Sequence, residues 1–241
     1  MSAGFQCKQF YIAHQSCAMK VGTDALLLGA WAQLPTCGAV LDIGAGSGII
    51  SLMLAQRSQG ALAISAVELD DAAATQATDN VRHSPWPQAI TVIKGDILTY
   101  QTAQRYALIV SNPPFFQDAL VSPDRKRQQA RHTQSLPFPA LLSKASSVLA
   151  DDGQFCLILP AASQAVFMQA AQAAGWYCRQ LCAIRSKAEK PVSRYLQRWG
   201  RGDLVAKRCD PIQHDSLIIH DAGGGYSAAY RALLRDFYLA F

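Results

Sequence analysis

Nothing in this 241-residue chain approaches the ~20 continuous apolar residues that a membrane span needs. Its first stretch, "MSAGFQCKQFYIAHQ", lacks the basic and apolar regions of a secretory leader and any transit-peptide bias, so a cytoplasmic protein is expected. The seven cysteines form no C-x-x-C pair, and their odd number and scatter suit free thiols in a reducing compartment rather than a disulfide framework. The five histidines also lack ligand spacing, so no metal is expected. Repeats, low-complexity tracts and a recognisable linker are absent as well. A single domain over residues 1–241 follows, with no obligate protein partner expected.

What is present is an alternation of short β-rich runs with longer helical ones. From residue 39, strands read over "AVLDI" (39–43), 62–69, 90–94, "YALIV" (106–110) and "QFCLILP" (154–160). Helices read from Gly48 to about Arg57, then over 71–83, 137–149 (stopping at "DDG") and 161–174, closed by Gly175. That order predicts an α/β fold with a mostly parallel, doubly wound sheet. The apolar runs are continuous rather than alternating, as in strands covered on both faces. Residues 1–38 are expected to form an N-terminal lid, with a helix after "MKVG" capped by Thr23 or Asp24. Residues 39–175 are the expected ligand-binding core. Residues 176–241 are expected to supply an antiparallel pair at one sheet edge, a short β segment near "SLIIH" and a last helix, "YSAAYRALLRDFYLAF".

The turn after the first core strand, "VLDIGAGSG", holds Asp42, Gly44, Gly46 and Gly48. Ligands of open α/β sheets sit beyond the strand carboxyl ends, and glycines there let the backbone turn sharply and approach a ligand closely. The dinucleotide pattern G-x-G-x-x-G is broken by Ile49, which counts against a nicotinamide-dependent oxidoreductase. Glu68 ends the second core strand, where a carboxylate can accept both hydroxyls of a ribose. Asp96 follows the third; it can accept from an adenine amino group or can simply be a turn acid. After the fourth comes "SNPPFF" (111–116). Proline offers no N–H and disfavours helix before itself, so this stretch is either a plain strand stop or a stiff bracket presenting an amide, a carbonyl and a ring to a flat ligand.

Together, "LDIGAGSG", an acid ending the second strand, "GD" after the third and "NPPF" after the fourth resemble the Rossmann-like S-adenosylmethionine-dependent methyltransferases. The NPPF form is similar to their amino-methylating branch, which acts on adenine N6, cytosine N4 or glutamine N5. The resemblance implies S-adenosyl-L-methionine as cofactor, Glu68 on the ribose hydroxyls, Asp96 at the adenine ring, and the glycine loop with Asp42 under the methionine part. It implies that Asn112 and the Pro113 carbonyl accept the two N–H bonds of the target amine. Pro114 stiffens that carbonyl and Phe115 stacks the base. Catalysis is then mostly positioning and electrostatics, with no protein nucleophile.

At both ends, "FQCKQFYIAHQSCAMKVGTDALLLGAW" and "YSAAYRALLRDFYLAF" are similar to the bacterial enzymes that methylate adenine N6 just 3′ of the anticodon in valine tRNA. On that resemblance Lys20, Thr23 and Asp24 lie near the methionine end of the cofactor and help close the site; otherwise they are a basic residue before an ordinary helix start. The charge distribution fits an RNA partner. Segments 124–132 and 179–208 hold 13 of the 22 basic and 3 of the 17 acidic residues, leaving the remainder with 9 basic and 14 acidic. Arg125, Lys126, Arg127 and Arg131 can grip phosphates beside a flipped adenine, and Arg185, Lys187, Lys190, Arg194 and Arg198 can extend that track; the alternative is solvated surface. Trp199 and Tyr195 read as packing residues. The competing functions are a glutamine-N5 methyltransferase of a translation factor and a non-catalytic RNA-binding protein.

Overall fold

The computed structural model describes residues 4–113, 136–201 and 211–241. A small antiparallel hairpin, β1 (Gly4–Gln6) and β2 (Tyr11–Ala13), precedes helix α1 (Thr23–Trp31). The core then alternates β3 (Ala39–Ile43), α2 (Ile49–Arg57), β4 (Ile64–Glu68), α3 (Asp71–Arg82), β5 (Ile90–Lys94) and β6 (Tyr106–Ser111). It continues with α4 (Phe138–Val148), β7 (Leu149–Pro160), a 3₁₀ turn, α5 (Gln164–Ala173), β8 (Tyr177–Arg185), β9 (Val192–Gly200), β10 (Gln213–Ile218) and α6 (Ala228–Leu234). Among the described residues no helix is long and apolar enough to cross a membrane, and no cluster of His, Cys, Asp or Glu could hold a metal ion.

Among the described residues ten strands form one two-stranded and one eight-stranded sheet, the latter ordered β10-β8-β9-β7-β6-β3-β4-β5. Within it β9 runs antiparallel to both β7 and β8, while the other pairings are parallel. Both faces are covered, as the continuous apolar runs require. One face packs Val40, Ile64, Val110 and Ile158 against α1, α2, α6 and the N-terminal hairpin. The opposite face packs Leu41, Ile43, Phe155 and Leu157 against α4 and α5, with Trp176 and Trp199 fully enclosed. The packing role expected for Trp199 is what the fold gives it.

Three local expectations need correction. Helix α1 is capped by the extended Gly22 with no side-chain cap bond; Thr23 and Asp24 stand in its first turn, and the Asp24 carboxylate is engaged by Arg194 instead. "DDG" does not separate helix from strand. The chain passes straight from α4 into β7, and the register jumps from Tyr106↔Leu149 to Leu108↔Gln154, so residues 150–153 bulge out within the strand. A Cβ on Gly153 would lie 2.7 Å from the Leu149 side chain, which is why a glycine sits in that bulge. The expected antiparallel pair, β8 with β9, does stand toward that edge, and the expected short β segment is β10, which adds a parallel strand beyond β8. Finally, α6 stops at Leu234 rather than running to the chain end. Residues 235–241 fold back so that Tyr238 bridges Cys7, and the Lys8 ammonium donates to the carbonyls of Arg235 (2.5 Å) and Phe241 (2.7 Å). The Phe5 ring meets Tyr238 edge-on at 5.7 Å across this seam between the chain's two ends, and Tyr238 stacks in turn on Phe241.

Candidate active site

The strand order reverses at β3, which has β4 on one side and β6 on the other. Beyond the carboxyl end of such a strand lies the crevice where open α/β sheets bind ligands. The β3–α2 turn fills its floor. Gly44, Gly46 and Gly48 adopt φ of 74°, 56° and 81°, left-handed values that a side chain would strain. A Cβ built on Gly44 or Gly46 meets nothing within 4 Å, so the backbone there faces open space. The amides of Gly44 and Ala45 donate to the Val67 carbonyl at 2.9 and 3.1 Å, tying the turn to β4.

Glu68 secures the same turn. One carboxylate oxygen accepts from Gly46 N–H at 2.7 Å and the other from Asp70 N–H at 2.8 Å. A carboxylate offers about four acceptor positions, so roughly two remain after the backbone has used its share. That is enough for two vicinal hydroxyls. Asp96 serves a turn and also leaves an oxygen over: its Oδ1 accepts from Leu98 N–H at 2.8 Å. Both readings of that acid therefore fit the geometry.

Beneath the glycine turn, Asp42 is fully buried. Its Oδ2 accepts from the Ser51 hydroxyl (2.7 Å) and amide (3.2 Å), while Oδ1 has no partner. Burial pushes the carboxyl up to about 7; the Ser51 bonds oppose this and the Glu68 charge adds to it. An unfolded carboxyl titrates near ~4. Between those values the folded chain holds a proton that the unfolded chain has lost, so this group's contribution to stability declines as pH rises through the window. We expect Asp42→Asn, which cannot ionise, to flatten that decline. Thermal melts of both proteins from about pH 5 to 7.5 check it: parallel curves would show that Asp42 does not titrate there.

Parallel pairing of Ile43 with Ser111 makes Gly44 and Asn112 emerge side by side at the sheet's rim. The Ser111 hydroxyl donates to the Ile43 carbonyl at 2.9 Å and locks the two strand ends together. Asn112 is half-buried and Pro113 buried. Pro114, Phe115, Arg125, Lys126, Arg127 and Arg131 lie outside the described residues.

The remaining expected residues divide by position. Lys20 and Thr23 are exposed at the start of α1. Asp24, expected at the cofactor, and Arg194, expected on RNA, meet each other at 2.8 Å. Arg185, Lys187, Lys190 and Arg194 all stand at the β8–β9 turn. Because Arg194 pairs with Pro160 at the carboxyl end of β7, this turn rises from the same end of the sheet as the glycine loop. Arg198 does not join them. It pairs with Cys156 in mid-sheet and donates to the Gln33 side chain, which holds it against the chain following α1.

Sequence reasoning missed Ser51, Ser111 and Asn80. Asn80 had a signal, shared with Gln76: each is a polar residue on the stripe of α3 that buries Ala73, Ala77 and Val81.

The family model of the methyltransferase small domain matches residues 17–169, which makes this doubly wound sheet with its glycine turn a methyltransferase of the small-domain class. A predicted O-methyltransferase from Agrobacterium tumefaciens shares the fold with TM-score 0.66 at 19% identity, covering 89% of this chain and 96% of that one. A glycopeptide N-methyltransferase solved with (S)-adenosyl-L-methionine matches at TM-score 0.56 and 12% identity, covering 74% and 95%. Among curated relatives, one from Dickeya chrysanthemi is 46% identical over 99% of this chain and 95% of its own length, and one from Proteus mirabilis 42% identical over 99% and 94%. Both are called tRNA1(Val) (adenine(37)-N6)-methyltransferase, and this chain belongs to that family.

The residues present fit S-adenosyl-L-methionine. Open space over Gly44 and Gly46 accommodates a ligand against backbone, and Glu68 keeps acceptors for a ribose. The unpartnered Asp42 oxygen places negative potential under the turn when ionised, which suits a cationic ligand. When bound, the cofactor supplies a methyl group on a positively charged sulfur. What the chain itself contributes is orientation.

Proposed function

We propose that the chain methylates the N6 amino group of adenine 37 in valine tRNA, with Asn112 and the Pro113 carbonyl as the acceptor pair for the target amine. The observation that carries this reading is the near-full-length similarity to relatives bearing that name, 46% in the first case. The emergence of Asn112 beside the glycine turn supports it independently. The adenine amine is a poor nucleophile because its lone pair is delocalised into the ring. Two fixed acceptors favour a pyramidal nitrogen whose lone pair projects toward the donor, and no general base is required. The proton leaves to water after transfer. Glu68, Asp96, Asp42 and the three glycines hold the donor, and Lys20 and Thr23 close over it.

The test is transfer of labelled methyl from S-adenosyl-L-methionine to tRNA lacking its native modifications, with nucleoside analysis. N6-methyladenosine confined to valine tRNA is expected. Label on a protein glutamine would favour the glutamine-N5 reading, and binding of RNA without any transfer would favour a non-catalytic module.

The β8–β9 turn serves as the phosphate-contacting rim. Replacing Arg185, Lys187 and Lys190 together by alanine is expected to raise KM for tRNA and reduce the slope of log KM against log salt by about 2, at ~0.7–0.9 for each phosphate no longer neutralised. KM for the donor should stay unchanged. A salt response identical to wild type would demote these residues to solvated surface. Arg198, held in mid-sheet, is expected to contribute nothing to that slope.

A further inference from the structure

Asn80 is 5% exposed on the inner face of α3, and its amide makes three hydrogen bonds. Its oxygen accepts from Ala13 N–H at 3.0 Å, and its nitrogen donates to the Ala13 carbonyl at 2.8 Å. A single side chain thus pairs with both polar groups of a backbone residue, as a neighbouring strand would. The second N–H of the same amide donates to the Ser47 carbonyl at 2.9 Å, inside the glycine turn between Gly46 and Gly48. Asn80 therefore joins two segments that lie 67 and 33 residues from it in sequence.

Each segment borders the donor site. Ser47 belongs to its floor. Ala13 ends β2 and leads into a turn closed by hydrogen bonds from Val21 N–H to His14 Nδ1 (3.2 Å) and from Cys17 N–H to the His14 carbonyl (3.3 Å). Asn80 itself sets the start of that turn against the glycine turn, because one amide holds both Ala13 and Ser47. The other ties of the glycine turn run to β4, through Val67 and Glu68. Asn80 is the described tie that runs instead to the N-terminal segment.

We propose that Asn80 is a positioning residue for the methyl-donor site: it locks the glycine turn and the turn over residues 14–21 into one wall, so that donor affinity depends on it while the chemical step does not. This rests on the glycine turn being the donor site. Asn80 touches neither substrate, and nothing in the bracket at Asn112 relies on it.

The experiment compares wild type, Asn80→Ala, Asn80→Asp and Val81→Ala. Val81 is buried on the same turn of α3 and serves as the packing control. Calorimetry gives Kd for S-adenosyl-L-methionine, steady-state kinetics gives kcat and both KM values, and thermal melts report folding. Asn80→Ala should raise Kd and KM for the donor by about 10- to 100-fold, since each buried carbonyl left unpaired forfeits roughly a tenfold factor or more. Its kcat at saturating donor and its KM for tRNA should stay within about threefold of wild type. Asn80→Asp keeps size and acceptor but turns a carboxylate oxygen toward two carbonyls, so its donor affinity should fall at least as far. Val81→Ala should lower the melting temperature with donor Kd nearly unchanged. An Asn80→Ala or Asn80→Asp protein that melts lower yet binds donor like wild type would overturn the inference, as would a loss confined to kcat. Should alanine fail to fold, the aspartate variant carries the same comparison. If wild type itself bound no donor, the reading of the glycine turn would fall first, so the two failures are distinguishable.

Discussion

Asn112→Ala is expected to slow methyl transfer by about 10²–10³ at saturating substrates, the scale seen when one aligned polar group is removed from a transition state. Donor affinity should remain near wild type, because the ties of the glycine turn run to Val67, Glu68 and Asn80 rather than to Asn112. The reason is geometric. Pairing of Ile43 with Ser111 fixes where β6 ends relative to the glycine turn, and the Ser111–Ile43 bond removes the freedom to slide. Asn112 thus leaves the strand at a set height beside the glycine turn. Alanine leaves that backbone intact but offers the target amine one acceptor instead of two. Single-turnover rates and calorimetric donor binding separate the outcomes. Collapse of donor binding with turnover preserved would mean that Asn112 supports the cofactor and leaves the amine to other groups.

The part of this fold legible in the sequence is the part where physics is local or two-sided. Strands β3 and β6 read within a residue of their ends because they are covered on both faces, and the edge strand β5 because Gly95 stops it. The placement of the glycine turn, Glu68 and Asp96 was legible because each stands at the end of a successive strand. What escaped was set by pairings between distant segments. "DDG" has ordinary turn chemistry, yet Leu149 folds over Gly153 and the residues become a bulge. The apolar "RDFYLAF" suits a helix in isolation, but its backbone bonds to Lys8 and Cys7 repay the loss of helical ones. Asp24 and Arg194 stand 170 residues apart, and no spacing rule predicts that one neutralises the other. Asn80 likewise declares its role only when Ala13 and Ser47 are brought to it.

The second large effect belongs to Glu68. Its two oxygens each hold one backbone N–H, at Gly46 and Asp70, and this fixes both the carboxylate and the turn it must serve. Glu68→Ala removes two charge-assisted bonds to backbone together with the acceptors left for a ribose. With each charge-assisted bond to a ribose hydroxyl contributing on the order of 1.5–3 kcal/mol, loss of both should raise donor Kd by about 10²–10⁴. Glu68→Gln is a sharper probe. Its amide nitrogen must confront either the Gly46 or the Asp70 N–H, donor against donor, so conserving shape should rescue little. The readout that isolates the ribose contribution is a donor analogue lacking one ribose hydroxyl. Wild type should bind it more weakly than the natural donor, and Glu68→Ala should bind the two almost equally. If the variant kept the full discrimination of wild type, the hydroxyls would be read elsewhere, and Glu68 would be left with holding the backbone at Gly46 and Asp70.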